Sequence, residues 1–355
     1  MSLAESKYRI LHELGAGGMG TVRKGLLLGK AGFQRPIVIK QLRRAEPEHL
    51  RLFVEEARRY AVLDHENIGR IFDFERIGGE LCIVLEYIDG WSLIEYLERH
   101  RELGYLPDVD LSVFIASRVC RGLQYVFEKV GIVHRDVSPS NVMMTTEGTV
   151  KLIDFGIAAR SGTRESYLAG KPSYMAPEMV VEMRADQRSD VFSLGSVLFE
   201  MLTGERLFTG ETTTEILERV VAGEIPTASS INPLVPEAVD AILARALERP
   251  SARRFPSAAG MGEACEHVLY DKGYGPTNLT LKHYLGSIFG DNVVSDDAEP
   301  REHEPTLVPL RDEMRPEPFD EGIITRAVSP LERVVVRGTT PRPGSPRTPP
   351  AGSKK

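Results

Sequence analysis

The stretch "HRDVSPSN", residues 134–141, decides how this chain is read, because it sets a histidine, an arginine, an aspartate and an asparagine within eight positions. Just downstream stands "KLIDFG", residues 151–156. Asp136, Asn141 and Asp154 fall at loop positions after apolar, strand-like runs. Together they offer hard oxygen ligands and a proton acceptor, a set suited to Mg²⁺ bound along with substrate phosphates. Ser138 raises a question. A phosphate flanked by Asp136 and Asn141 calls for a cation between them, and this position carries a neutral hydroxyl.

Upstream, "LGAGGMGTV" (14–22) contains Gly15, Gly17 and Gly20 in the pattern G-x-G-x-x-G, whose bare backbone lets amides approach phosphates closely. A dinucleotide fold would place this motif at a strand-to-helix turn. Here "TVRKGLLL" continues as strand, which predicts a hairpin lid over a nucleotide. Lys40 ends the apolar strand "PIVIK" and needs a negative partner if buried. Between Glu48 and Leu63, Phe53, Ala57, Tyr60 and Ala61 recur at helical spacing. On that helix Glu55 has Arg51, Arg58 and Arg59 within reach, whereas Glu56 lies on the apolar face beside Phe53 and Tyr60. Glu56 is therefore the predicted partner of Lys40.

The wider pattern divides the chain. Short β-type runs, "YRILHEL", "TVRKGLLL", "PIVIK", "IGRIFDFERI" and "LCIVLEYI", dominate up to Ile88, with a tight turn at Gly78 and Gly79. After Gly90 the periodicity becomes helical, in "SLIEYLERHRELG", "VDLSVFIASRVCRGLQYVFEKVG", "DVFSLGSVLFEMLTG", "TTEILERVVAG" and "EAVDAILARALE". A small sheet-rich lobe thus precedes a larger helical one, an α+β architecture. "LTLKHYLGSIFG" predicts one more amphipathic helix within an extension over 271–290. From 291 to 355 Pro, Arg and acidic residues displace periodic hydrophobics, which predicts a disordered, charged tail.

The 355 residues, 42% of them hydrophobic, suffice for two lobes. A net charge of -7 argues against a sequence-independent nucleic-acid binder. Three widely separated cysteines fit a reducing compartment. The first residues lack an apolar signal core, and the longest greasy stretch is too short to span a bilayer, so the expected location is cytoplasmic.

With these motifs assembled, the chain resembles the protein kinases, specifically bacterial Ser/Thr kinases of eukaryotic type. The resemblance rests on "GAGGMGTV", "IVIK", Glu56, "HRDVSPSN", "DFG" at 154–156, "APE" at 176–178, "SDVFSLG" with Asp190 and "RRF" with Arg254. It covers about residues 8–270 and implies a bilobal fold, with the N-lobe at about 8–88 and the C-lobe at about 90–270. It implies that Asp136 orients the acceptor hydroxyl and takes its proton, that Asn141 and Asp154 hold Mg²⁺ (or Mn²⁺), and that Lys40, held by Glu56, grips the α and β phosphates of ATP. Leu14, Gly15, Ala16, Gly17, Gly18, Met19, Gly20 and Thr21 would form the phosphate lid. Adenine would lie between Val22 and Val38 above and Met143 below, bonded by backbone groups of Glu86 and Ile88, with Leu85 as gatekeeper. Arg254 would pair with Glu178 structurally.

Two positions depart from the family pattern. Ser138 stands where lysine is usual, and Lys171, in "GKPSYMAPE", stands where threonine is usual. The two residue types have exchanged places, so Lys171 is expected to supply the missing cation and Ser138 the hydroxyl. Between "DFG" and "APE" the chain carries Ser161, Thr163, Ser166 and Tyr167, of which Thr163 or Ser166 is the expected autophosphorylation site, with Arg135 as a receiving cation. The implied function is transfer of the γ-phosphoryl of ATP to Ser/Thr hydroxyls of protein substrates, in signalling, with autophosphorylation. The alternative is a pseudokinase scaffold that binds nucleotide without transfer. Oligomeric state is left open.

Overall fold

Strand-forming runs such as that of Ile37, Val38 and Ile39 build the N-terminal sheet of the computed structural model, which describes residues 7–17, 20–42, 60, 62–77, 79–154, 159–160 and 170–290. Strands β1 (Tyr8–Gly17), β2 (Gly20–Leu28), β3 (Gln34–Leu42), β4 (Ile71–Ile77) and β5 (Glu80–Glu86) form an antiparallel sheet in the order β1-β2-β3-β5-β4. Tyr8, Ile37, Ile39, Cys82 and Val84 make its apolar core. Because side chains alternate along a strand, Val38 and Lys40 face away from Ile37 and Ile39. The register sets Val22 opposite Lys40, Lys24 opposite Val38 and Leu85 opposite Val38, so Val22, Val38, Lys40 and Leu85 share one face.

Glu56 and most of its expected helix, Gly18, Met19, Gly78, Phe155, Gly156, the hydroxyls Ser161, Thr163, Ser166 and Tyr167, and the segment 291–355 lie outside the described residues.

The second part begins with β6 (Gly90–Ser92) and helices α1 (Leu93–Leu103) and α2 (Val109–Val130). Ser92 and Glu95 form a capping box at the start of α1, and Gly104, at φ 78°, ends it in the left-handed region that favours glycine. Then come β7 (Ile132–Val133), β8 (Val142–Thr145), β9 (Val150–Leu152) and β10 (Ala159–Arg160). β6, β8 and β9 pair as a small sheet, and β7 pairs with β10. Helices α3 (Pro177–Val181), α4 (Gln187–Thr203), α5 (Thr213–Ala222), α6 (Glu237–Ala246), α7 (Ala258–Tyr270) and α8 (Asn278–Phe289) follow. Every residue of α4 from Ser189 to Thr203 is buried, as expected for a helix that is largely apolar all round and forms the centre of its lobe. Phe114, Phe192, Phe199, Met144 and Leu152 belong to the large core around it. Among the described residues no helix is long and apolar enough to cross a membrane.

Candidate active site

The loop after β7 is held from beneath by α4. Asp190, buried in the first turn of that helix, accepts the backbone amides of His134 and Arg135, both at 2.8 Å. This brace matters because Arg135 adopts φ 69°, a left-handed conformation that costs a non-glycine residue about 1–2 kcal/mol. Burial raises the Asp190 carboxyl above its ordinary range, against the lowering influence of His134 and the two amides.

His134 joins this loop to Ile153, between the end of β9 and Asp154. Its Nδ1 accepts the Asp136 amide at 3.3 Å, so Nε2 carries the proton and donates to the Ile153 carbonyl at 3.0 Å. The Ile153 amide in turn donates to the Asn141 carbonyl at 2.8 Å. Asp136 and Asp154 are thereby tied to one framework.

Both oxygens of the Asp136 carboxylate are engaged. Oδ2 accepts Asn141 Nδ2 at 2.8 Å and Oδ1 accepts the Lys171 backbone amide at 3.1 Å. Asn141 Nδ2 also donates to the Asp136 carbonyl at 2.8 Å, which commits the amide nitrogen and makes Oδ1 the atom of Asn141 suited to a cation. Burial raises the Asp136 carboxyl, while His134, Lys171 and Asn141 act in the opposite direction. Asp154 sits at φ 62°, another left-handed non-glycine residue, and its Oδ1 meets Lys40 Nζ from the N-terminal sheet. Lys40 is 7% exposed, so the cation is nearly buried and paired across the two lobes. The donor set of Asp154 carboxylate and Asn141 carbonyl oxygen, next to Asp136, fits a hard divalent cation such as Mg²⁺.

Lys171 and Ser138, 33 positions apart in sequence, come together through a residue that sequence reading missed. Lys171 Nζ donates to Ser140 Oγ at 2.6 Å, and Ser140 Oγ lies 3.3 Å from Ser138 Oγ. Ser138 is fully buried. The approach depends on Gly170: at φ 102°, a Cβ there would stand 2.6 Å from the Arg135 carbonyl oxygen and 3.4 Å from Asp136 Oδ1. Beyond Lys171, a single turn over Pro172–Tyr174 is anchored by Tyr174 Oη, which donates to Glu200 Oε2 at 2.6 Å. Glu200 is buried and also meets Arg101 at 3.2 Å and Arg206 at 3.7 Å.

Val142 and Met144 are in the core, so Met143 between them faces the other way and is half-buried. Leu14 is 50% exposed, and the backbone of Gly15, Ala16, Gly17, Gly20 and Thr21 runs in the β1–β2 hairpin. The Glu86 amide already donates to the Arg70 carbonyl at 2.9 Å, so that particular group is not available to a ligand. Ile88 lies beside Gly69, whose missing side chain leaves room for Ile153. Arg254 makes a two-pronged bond with Glu178, at 2.8 and 2.7 Å.

Residues 8–268 match the family model of the protein kinase domain. The chain belongs to the protein kinase family. Its curated relatives include the tyrosine-protein kinase MasK of Myxococcus xanthus, 34% identical over 85% of this chain and 48% of MasK. They also include the serine/threonine-protein kinases PknL of Mycobacterium tuberculosis, 33% identical over 75% of this chain and 67% of PknL, and PrkC of Bacillus subtilis, 33% identical over 72% of this chain and 39% of PrkC. The chain thus spans about half the length of MasK and less of PrkC. Within the kinase family, the sheet-rich first lobe and helical second lobe described above are the expected bilobal arrangement.

Proposed function

We propose that this chain transfers the γ-phosphoryl of Mg-ATP to serine or threonine hydroxyls of proteins. The observation that carries the reading is one continuous set of contacts: Lys40 to Asp154, its neighbour Ile153 to His134 and Asn141, and Asn141 to Asp136. In this reading Asp136 accepts the acceptor hydroxyl proton as the new O–P bond forms. The bond from the γ-phosphorus to the β,γ-bridging oxygen breaks, and ADP leaves with that electron pair. Lys40, released from Asp154 or sharing it, holds the α and β phosphates, with Glu56 as its further partner. Asn141 and Asp154 hold the divalent cation, Mg²⁺ or Mn²⁺, which supplies neutralisation of phosphate charge when bound. Val22, Val38 and Met143 enclose adenine.

Lys171 serves as the cation on the transferring phosphoryl and Ser138 as the hydroxyl that braces the loop. Support comes from the Lys171–Ser140–Ser138 contacts beside Asp136. Autophosphorylation at Thr163 or Ser166 and a cytoplasmic signalling role complete the proposal.

The test is purified chain with labelled ATP and Mg²⁺ or Mn²⁺, alongside Asp136→Asn. Label transferred by the wild type and lost in the variant is expected, and nucleotide binding without transfer means a scaffold. MasK is named as a tyrosine kinase, which gives a specific ground for a second acceptor. Phosphoamino acid analysis of the labelled product decides between them.

A further inference from the structure

We infer that helix α8, which lies beyond the 8–268 segment matched by the family model, positions the nucleotide site by bracing the β6-β8-β9 sheet. The inference rests on reading that site as the ATP site. The sheet is small: its strands have 3, 4 and 3 residues, too short to keep their shape without packed neighbours. Yet each strand adjoins the site. β6 starts two residues after Ile88, β8 follows directly on Asn141 and contains Met143, and β9 ends two residues before Asp154.

Helix α8 meets this sheet at β6 and at the β8–β9 turn. Leu281, Tyr284, Leu285 and Ile288, at the i, i+3, i+4, i+7 spacing of one helical stripe, are all buried. Polar and aromatic contacts then fix the helix to three separate elements. Towards α1, Tyr284 Oη lies 2.7 Å from His100 Nε2, and Arg99 Nε donates to the Ile288 carbonyl at 2.7 Å. On β6, Trp91 stacks on Phe289 with centroids 4.5 Å apart and planes 9° from parallel. At the β8–β9 turn, Lys282 pairs with Glu147 at 2.6 Å, and Gly148 packs so closely that a Cβ there would overlap the Asn278 carbonyl. Trp91 is itself paired with Met144, and Ser92 with Met143. A displacement of α8 therefore reaches the adenine floor through a single pair of strands.

The test uses the full chain. Phe289→Ala removes the stack together with the ring's packing on the core, Phe289→Tyr keeps both, and Leu281→Asn with Leu285→Asn releases the helix. Leu279→Asn, at a position 58% exposed, is the control. In Phe289→Ala the Kd and KM for ATP should rise about threefold to tenfold, as expected for loss of one aromatic pair. The kcat at saturating ATP should change less than about twofold, and Phe289→Tyr should restore affinity. Amide hydrogen exchange of 142–152 should quicken in Phe289→Ala and more in the double variant. If exchange at 278–289 quickens while that of 142–152 is unchanged, the brace is overturned. If 142–152 loosens and ATP affinity stays at the wild-type value, the positioning role is overturned. ATP binding by the wild type is the separate control on the site reading, and exchange of 142–152 needs no nucleotide.

Discussion

Replacing Lys171 by threonine removes a charge and leaves the backbone in place. The Lys171 amide, not its side chain, bonds Asp136 Oδ1 at 3.1 Å, so the substitution spares the orientation of Asp136. What is lost is Nζ, held 2.6 Å from Ser140 Oγ. A unit charge about 4 Å from a phosphoryl oxygen is worth about 4 kcal/mol at an effective dielectric of about 20. Removing one preorganised stabiliser of this kind slows chemistry by about 10²- to 10³-fold, close to the same energy. The kcat of Lys171→Thr should fall by that factor, with the KM for ATP nearly unchanged, in steady-state phosphotransfer at saturating Mg²⁺. Ser138→Lys should recover part of the loss in that background. Alone it should impair the enzyme, because Ser138 is fully buried and a lysine fits only where the Lys171 chain has been vacated. A kcat for Lys171→Thr within twofold of wild type refutes the relocation of the cation.

Arg254→Met leaves Glu178 and the carbonyls of Glu248, Arg188 and Arg249 without their buried donor, at a cost of about 3–5 kcal/mol. Calorimetry should show Tm lowered by on the order of 10 °C. Gly170→Ala should lower kcat about tenfold to hundredfold while the protein still binds nucleotide, since the strained Cβ pushes on the Arg135 carbonyl beside Asp136. Burial lowers the His100 pKa from 6.5 to about 4. The unfolded chain therefore takes up the proton first as pH falls. The stability from this residue is whole above pH 6.5 and declines towards pH 4, by about 3 kcal/mol in total. Urea titrations of wild type and His100→Gln across that range should converge as pH falls, and parallel curves would contradict the buried neutral imidazole.

Much of this was legible in sequence because phosphate chemistry needs particular groups close together. Asp136, Asn141 and Asp154 sit within nineteen positions, and the strand alternation that buries Ile37 and Ile39 also turns Lys40 towards Asp154. The hairpin at Gly15–Gly20 followed from strand character on both sides. Contacts between distant loops were not legible. Nothing in "VSPSN" marks Ser140 as the link between Lys171 and Ser138, since a serine in a loop has many uses. The double amide bond to Asp190 was likewise hidden, because a motif letter gives a residue without its partners. His100 could have been found: it completes the stripe Leu93, Tyr96, Leu97, His100 on α1, and a histidine in an apolar stripe needs a buried partner, here Tyr284.

The anchoring of Tyr174 on Glu200 carries a consequence for control. In a kinase whose phosphate-facing lysine belongs to the rigid loop beside the general base, that charge stays in place whatever the acceptor shelf does. Here the Lys171 ammonium belongs to the segment 170–174, one turn from the tyrosine that clamps that segment to the central helix. Releasing Tyr174 would therefore move the Lys171 ammonium away from Ser140 and its amide away from Asp136 in one step.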